Sequence, residues 1–327
     1  MNEASPDSRQ LVALTGATGF IGSTLIKRLA QSGYRVRALY RPRPGREYAA
    51  SDGLEWVTGS LDDAQALDAL LDGATAVIHC AGAVRGASRA DFDVVNVAGV
   101  QAVAEACQRG SCQRLLSLSS LAAREPQLSH YAASKREGER VLARFTDTLD
   151  WVALRPPAVY GPGDREMLPL FRGMQRGWAL IPGNGAGRLS LIYVDDLVTA
   201  MLAWLMSDTR HSGDVYEVDD GQAGGYDWNT LIATVSQVCQ RTRPIRQLHV
   251  PIALLKGIAT GNLAAARLFR YAPMLTPGKV GELTHNDWVC DSAPFSHTFE
   301  WSPQVRFAAG LAKTLQLSPS NASGNVQ

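Results

Sequence analysis

One segment near the amino terminus constrains this chain more than any other: Thr15-Gly16-Ala17-Thr18-Gly19-Phe20-Ile21-Gly22. It follows a short apolar run, Leu11 to Leu14, and leads into a helical pattern carried by Ile26, Leu29 and Ala30. Glycines at this spacing permit a tight turn at Gly16, close approach of backbone to a diphosphate at Gly19, and close helix–strand packing at Gly22. The anion would rest on the helix N-terminus. Gly33-Tyr34 then stops the helix, and Arg35 to Tyr40 supplies a second strand, completing a βαβ unit of about 30 residues. A glycine triad alone is also what a plain loop looks like; the strand, turn and helix around it favour a dinucleotide site.

The alternation continues. Leu54 to Thr58, Ala76 to Cys80, Arg114 to Leu118 and Trp151 to Leu154 read as strands. Ala64 to Leu71, Asp91 to Arg109 and Tyr131 to Phe145 read as helices between them. This predicts an α/β fold, a doubly wound parallel sheet of Rossmann type with a smaller interleaved C-terminal substrate lobe. Residues 11–160 form the expected dinucleotide-binding domain. Residues 161–317 form the expected lobe, crowded with Gly and Pro, with segments near 189–200 and 214–219 returning to the main body. The polar ends, 1–10 and 318–327, are expected to be disordered tails.

With 46% hydrophobic and 19% charged residues, the 327-residue chain has the composition of a globular protein with a large core. Its 32 basic and 31 acidic residues leave a net charge of +1, which gives no footprint for nucleic acid or an anionic membrane and points to a small-molecule substrate. Five cysteines without metal-ligand spacing predict reduced thiols, no metal site and a cytoplasmic setting. The first ten residues, with Glu3 and Asp7, do not follow the plan of a signal peptide. Apolar stretches such as Val198 to Met206 and Val250 to Leu255 are too short to span a bilayer, so no integral membrane association is expected. Leu263 to Phe269, with Arg267 and Arg270, reads as a helix packed on the second lobe rather than as a membrane contact.

Tyr131-Ala132-Ala133-Ser134-Lys135 places a phenol and an ammonium four residues apart, on one face of a helix. A nearby cation favours the phenolate, which would bring proton transfer closer to neutral pH. Ser120, at the end of the preceding strand, is the candidate donor to a substrate oxygen, with Ser119 as its competitor. Tyr-x-x-x-Lys alone is common on solvated helix faces; here it opens the helix after the fifth strand, at the end of the sheet where ligands bind. At the end of the second strand no carboxylate stands ready for a ribose 2′-hydroxyl. Arg41, with Arg37, Arg43 or Arg46 in support, is suited to a 2′-phosphate, so NADP is preferred over NAD.

Taken in order, the motifs resemble the extended or atypical short-chain dehydrogenase/reductases, the superfamily of nucleotide-sugar epimerases, 3β-hydroxysteroid dehydrogenases and dihydroflavonol reductases. They are Thr15 to Gly22, Val77-Ile78-His79-Cys80-Ala81-Gly82, Asn96-Val97-Ala98-Gly99, Ser119-Ser120, Tyr131 to Lys135, Arg155 to Gly163 and Tyr193-Val194-Asp195-Asp196. The resemblance implies that Tyr131 is the general acid/base, that Lys135 lowers its pKa and holds the ribose, and that Ser120 polarises a carbonyl. It places Gly16, Thr18, Gly19, Phe20, Ile21, Gly22, Ala81 and Gly82 along the cofactor, Leu61 by the adenine, and Pro157 and Val159 by the nicotinamide. Asn96 would support the active-site backbone. Gly59-Ser60-Leu61 departs from the Gly-Asp-Leu common in the family, which removes one adenine contact.

Dehydratases of this superfamily carry Thr-Asp-Glu where this chain has Ser120-Leu121-Ala122, so elimination of water lacks its acid and base. Epimerases commonly carry an arginine six residues before the aspartate matching Asp195; here that residue is Leu189, with Arg188 one position away. Trp178, Leu180, Met274 and Leu275 are candidate apolar wall residues. The expected activity is therefore interconversion of a ketone and a secondary alcohol on a partly apolar substrate. A nucleotide-sugar epimerase with tightly held NAD and a non-catalytic dinucleotide-binding scaffold are the alternatives. A homodimer is the candidate assembly, two-fold dimers being the commonest.

Overall fold

The computed structural model describes residues 10–42, 44–45 and 48–317. The terminal tails, apart from Gln10 at the edge of the first, lie outside the described residues, as do Arg43 and Arg46. In chain order the first part comprises β1 (Leu11–Thr15), α1 (Phe20–Gln31), β2 (Arg35–Tyr40), β3 (Leu54–Thr58), α2 (Ala64–Leu71), β4 (Ala76–His79), α3 (Arg89–Asp93), α4 (Gly99–Arg109), β5 (Arg114–Leu118), α5 (His130–Ala143) and β6 (Asp150–Arg155). There follow β7 (Ala158–Tyr160), α6 (Leu168–Gln175), β8 (Trp178–Pro182), β9 (Arg188–Leu189), β10 (Leu191–Tyr193), α7 (Val194–Met206) and β11 (Asp214–Glu217). The chain ends with α8 (Trp228–Val238), β12 (Arg246–Val250), α9 (Ile252–Phe269), α10 (Pro277–Leu283), β13 (Asp287–Trp288), α11 (Ala293–Thr298) and α12 (Phe307–Thr314).

Seven parallel strands form the main sheet in the order β11-β6-β5-β4-β1-β2-β3. The order reverses between β1 and β4, and the crevice beyond their carboxyl ends is where such sheets bind ligands. Every residue of β1 and of β4 is buried, as strands covered by helices on both faces must be. One face packs Leu14 under Leu25 and Leu29 of α1 and Val198, Met201 and Trp204 of α7. The other packs Ala13 and Val77 under Leu67, Leu70, Val103 and Leu142. Leu25 and Leu29 lie four residues apart on one helix face, and each contributes about 1.5–3 kcal/mol by burial.

The second lobe has its own core around Tyr160, Phe171, Tyr193 and Phe307. Its small sheets are parallel pairs, β10 with β7, β12 with β8 and β13 with β9. β11 joins the main sheet beside β6, whereas β10 pairs outside it. α7 then returns to the main body, its Asp195 paired with Arg28 of α1 at 3.1 Å. Asp196 accepts from the backbone of Gln304 and Val305 at 3.1 and 2.8 Å, which makes it a loop anchor.

Two sequence expectations need correction. The long helix from Asp91 to Arg109 is interrupted by a π-helical turn at Val94–Ala98, whose wider register turns Asn96 inward. Leu263 to Phe269 belongs to the longer α9, which is mostly bare instead of packed: Leu254 is 55% exposed, Leu268 75% and Phe269 72%. Among the described residues, α9 alone is long and apolar enough to cross a membrane by length and composition. Lys256 and two glycines break its apolar run, which is why counting uninterrupted stretches overlooked it.

Candidate active site

At the mouth of β1 the backbone of Gly16 takes a φ of +70°, and a Cβ there would fall 2.5 Å from the Ala81 nitrogen of the adjoining strand end. Gly19 N donates to Gly16 O at 3.0 Å and opens α1 with no side-chain cap and no acidic residue in the first turn. The first N–H groups of a twelve-residue helix, beginning at Phe20 and Ile21, are thus left for an anion. A Cβ on Gly22 would run into the carbonyl of Gly16, so the turn and the helix demand glycine together. Thr18 is exposed on the turn. Gly163, in the loop after β7, lies against Phe20, and Leu61 lies against Gly99 at the start of α4.

Arg41 is exposed at the end of β2. Arg37 cannot support it there: its guanidinium pairs with Glu55 at 2.9 Å and donates to the carbonyls of Ala69 and Asp72. The carboxylate of its register partner on β3, Glu55, holds Arg37 on a different task.

The candidate proton-handling groups converge at the carboxyl end of β5. Ser129 caps α5, its hydroxyl accepting from Ala132 N at 2.9 Å, and so fixes where Tyr131 enters the helix. The Ser120 hydroxyl, which accepts from Ala122 N at 3.2 Å, stands close enough to the Tyr131 phenol to draw its pKa downward. Phe92 of α3 stands edge-on to the phenol with ring centroids 6.1 Å apart. Ser119 is no longer a competitor, because its hydroxyl donates to Glu139 at 2.6 Å in a buried position. Lys135 is buried, donates to Leu118 O at 2.9 Å, and lies beneath Gly82, where a Cβ would sit 3.0 Å from Nζ. Asn96 accepts from Ala83 N and donates to Ala83 O, both at 2.9 Å, and donates to Ser134 Oγ at 2.9 Å. It clamps the strip Ala81-Gly82-Ala83 against α5. Pro157 and Val159 are half-buried at the neighbouring mouth of β6 and β7.

Burial pushes the Tyr131 phenol up to about 12, with the Ser120 hydrogen bond opposing and the Glu282 carboxylate adding to the rise. The Lys135 ammonium donates to the Leu118 carbonyl at 2.9 Å. Burial also brings Lys135 down to about 8, against the pull of Cys80 and Glu139. His79 is driven down to about 3 by burial and then by Lys135, and its Nδ1 bonds to Thr15 Oγ1 at 2.8 Å; it is a neutral core residue.

A pH dependence follows. Lys135 carries charge below about 8 and loses it above, while Tyr131 stays protonated throughout that range. kcat/KM, which reports the free enzyme, should fall as pH rises through about 8. Lys135→Met should remove that limb; a limb persisting near 8 in the variant would assign it elsewhere.

Two groups near the site escaped sequence reading. Glu282 of α10 is buried, accepts from Ser129 and pairs with Lys279 at 2.8 Å. Lying far along the chain from Tyr131, it left no local pattern to follow. Glu139 lies one turn beyond Lys135, where a Glu on a helix reads as solvated, yet it takes both arms of Arg155 at 2.7 and 2.6 Å. Arg188, the displaced arginine, is occupied by the carbonyls of Gly224 and Gly225 at 2.5 and 3.1 Å. Trp178 and Leu180 do not line the cleft; they stand 44% and 58% exposed on β8. Met274 and Leu275 are half-buried on the loop entering α10. No group of three or more His, Cys, Asp or Glu able to hold a metal ion occurs among the described residues.

The model of the NAD dependent epimerase/dehydratase family matches residues 12–219, well over half of the chain. The chain belongs to that family. It is thereby a member of the extended short-chain dehydrogenase/reductase superfamily. It is 36% identical to a ceramide reductase of Caulobacter vibrioides, over 94% of this chain and 98% of that protein. It is 29% identical to a 3 beta-hydroxysteroid dehydrogenase/Delta 5-->4-isomerase of Mycobacterium tuberculosis, over 83% and 80% of the two chains. The fold also matches a UDP-glucuronic acid 4-epimerase of Bacillus cereus in complex with NAD, at a TM-score of 0.71, 19% identity and coverage of 94% and 98%.

Proposed function

We propose that this family member is an NADP-dependent reductase that converts a ketone on a long-chain, lipid-like substrate to a secondary alcohol. The Ser120–Tyr131 pair at the carboxyl end of β5, with Lys135 donating to Leu118 O at the same strand end, carries the reading. The cofactor fits the residues present: Gly16 and Gly22 hold a tight turn that a Cβ at either would break, and α1 presents uncapped N–H groups to a diphosphate. Arg41 would meet the 2′-phosphate and Lys135 the nicotinamide ribose. When bound, the dinucleotide supplies the hydride. Ser120 and Tyr131 orient two hydroxyls toward the carbonyl oxygen, and Tyr131, held protonated, delivers its proton to that oxygen.

A lipid-like substrate is supported by the name of the 36%-identical relative, which aligns over nearly the whole of both chains. It is also supported by Leu189 where nucleotide-sugar enzymes carry arginine, and by Arg188 being committed to backbone carbonyls. The purified chain should oxidise NADPH in the presence of a long-chain 3-keto amide and leave UDP-glucose untouched. Purification with tightly held NAD, and interconversion of UDP-sugars with no net NADPH loss, would make it an epimerase. Dinucleotide binding without turnover of any carbonyl would make it a scaffold.

Arg41→Ala should raise KM for NADPH about 10-fold or more, the value of charge-assisted hydrogen bonds worth about 1.5–3 kcal/mol, with KM for NADH unchanged. Equal effects on both cofactors would remove Arg41 from the choice.

A further inference from the structure

The chain's net charge of +1 conceals a segregation: from Trp228 to Gly281 there is no Asp or Glu, against seven Lys and Arg. Arg243, Arg246, Lys256, Arg267 and Arg270 in this stretch are all exposed. The same stretch contains α9, of which only 11% is buried, where a core helix would be mostly covered. Ala259 and Ala266 face the lobe. The opposite face, at helical spacing, carries Leu254, Gly257, Gly261, Ala264 and Leu268, and nothing lies within 4 Å of a Cβ on either glycine. No charge interrupts that face; Lys256 and Arg267 share one flank. The bare surface continues onto the paired strands β8 and β12 through Trp178, Leu180 and Leu248, with Arg246 stacked over Trp178 at 5.1 Å. Ile252 joins helix to sheet by packing on Gly183.

From this we infer that α9 and the outer face of β8 and β12 dock the protein onto the surface of an anionic lipid bilayer. An apolar stripe flanked by Lys and Arg, in a stretch of chain without Asp or Glu, is complementary to acyl chains below and anionic headgroups around it. The helix lies on the membrane without crossing it: Asn262 and Tyr271 tie its middle to the following loop, Asn262 Nδ2 donating to Leu275 O at 2.8 Å. Docking is independent of the reaction proposed above: a chain inactive on every lipid ketone would still bind.

The test is sedimentation of the full chain with vesicles of phosphatidylglycerol and phosphatidylcholine, and with phosphatidylcholine alone. Binding is expected to the anionic vesicles, to weaken as salt is raised, and to fall at least about 10-fold in Leu254→Glu/Leu268→Glu, since each charge opposes insertion. NADPH binding and the melting temperature of the variant should match the parent, because both side chains are exposed. Failure to bind anionic vesicles, equal binding to neutral ones, or full binding by the variant overturns the inference. So does a concentration-dependent dimer that the double variant abolishes while vesicles are ignored, which would make a second copy the occupant.

Discussion

Tyr131→Phe is expected to lower kcat for carbonyl reduction by about 10²–10⁴-fold, the usual contribution of a positioned general acid, while the dissociation constant for NADPH stays where it was. The substitution keeps the ring, its edge-on contact with Phe92 and the helix cap at Ser129, so the fold has no reason to change. It removes one hydroxyl, the partner of Ser120. Because burial holds that hydroxyl protonated up to about 12, the proton is present for reduction across the neutral range. Alcohol oxidation, which needs the phenolate, should by the same sign accelerate as pH rises. Measuring kcat in both directions alongside cofactor titration separates loss of chemistry from loss of binding. Undiminished reduction by the variant would sink the assignment of Tyr131.

Glu139→Ala is expected to cost about 3–5 kcal/mol of folding stability, read by denaturant unfolding, because it strands a guanidinium only 11% exposed. Arg155 gives both arms to this carboxylate, and Ser119 donates to it as well. Glu139→Gln, which keeps the shape and loses the charge, should fall between parent and alanine variant. The pair bolts α5 to the end of β6, so a loss of activity without loss of stability would show that Glu139 acts on Lys135 electrostatically instead.

The sheet was legible because its information is local. Buried strands such as Ala76–His79 are short apolar runs, and α1 and α2 announce themselves by spacing and by glycine or aspartate at their starts. The glycine turn, Ser120, Tyr131 and Lys135 could be named for the same reason: each lies at a strand end or one helical turn from another. What could not be read depends on distant partners. Arg37 looked available until β3 supplied Glu55, and Ser119 could not be separated from Ser120 until Glu139 was seen to claim it. The exposure of α9 was equally hidden, since an apolar helix reads alike whether it is covered or bare.

The contact between α10 and the segment before α5 has a mechanical consequence. Gly278 and Gly281 let α10 press so closely that a methyl group on either would sit 2.9 or 3.1 Å from Ser129 or Leu128. Ser129 caps the helix that carries the phenol and also donates to Glu282 across the same seam. The Tyr131 hydroxyl and α10 of the second lobe are therefore coupled through Ser129. A ligand that drew that lobe inward would re-aim the Tyr131 hydroxyl with it.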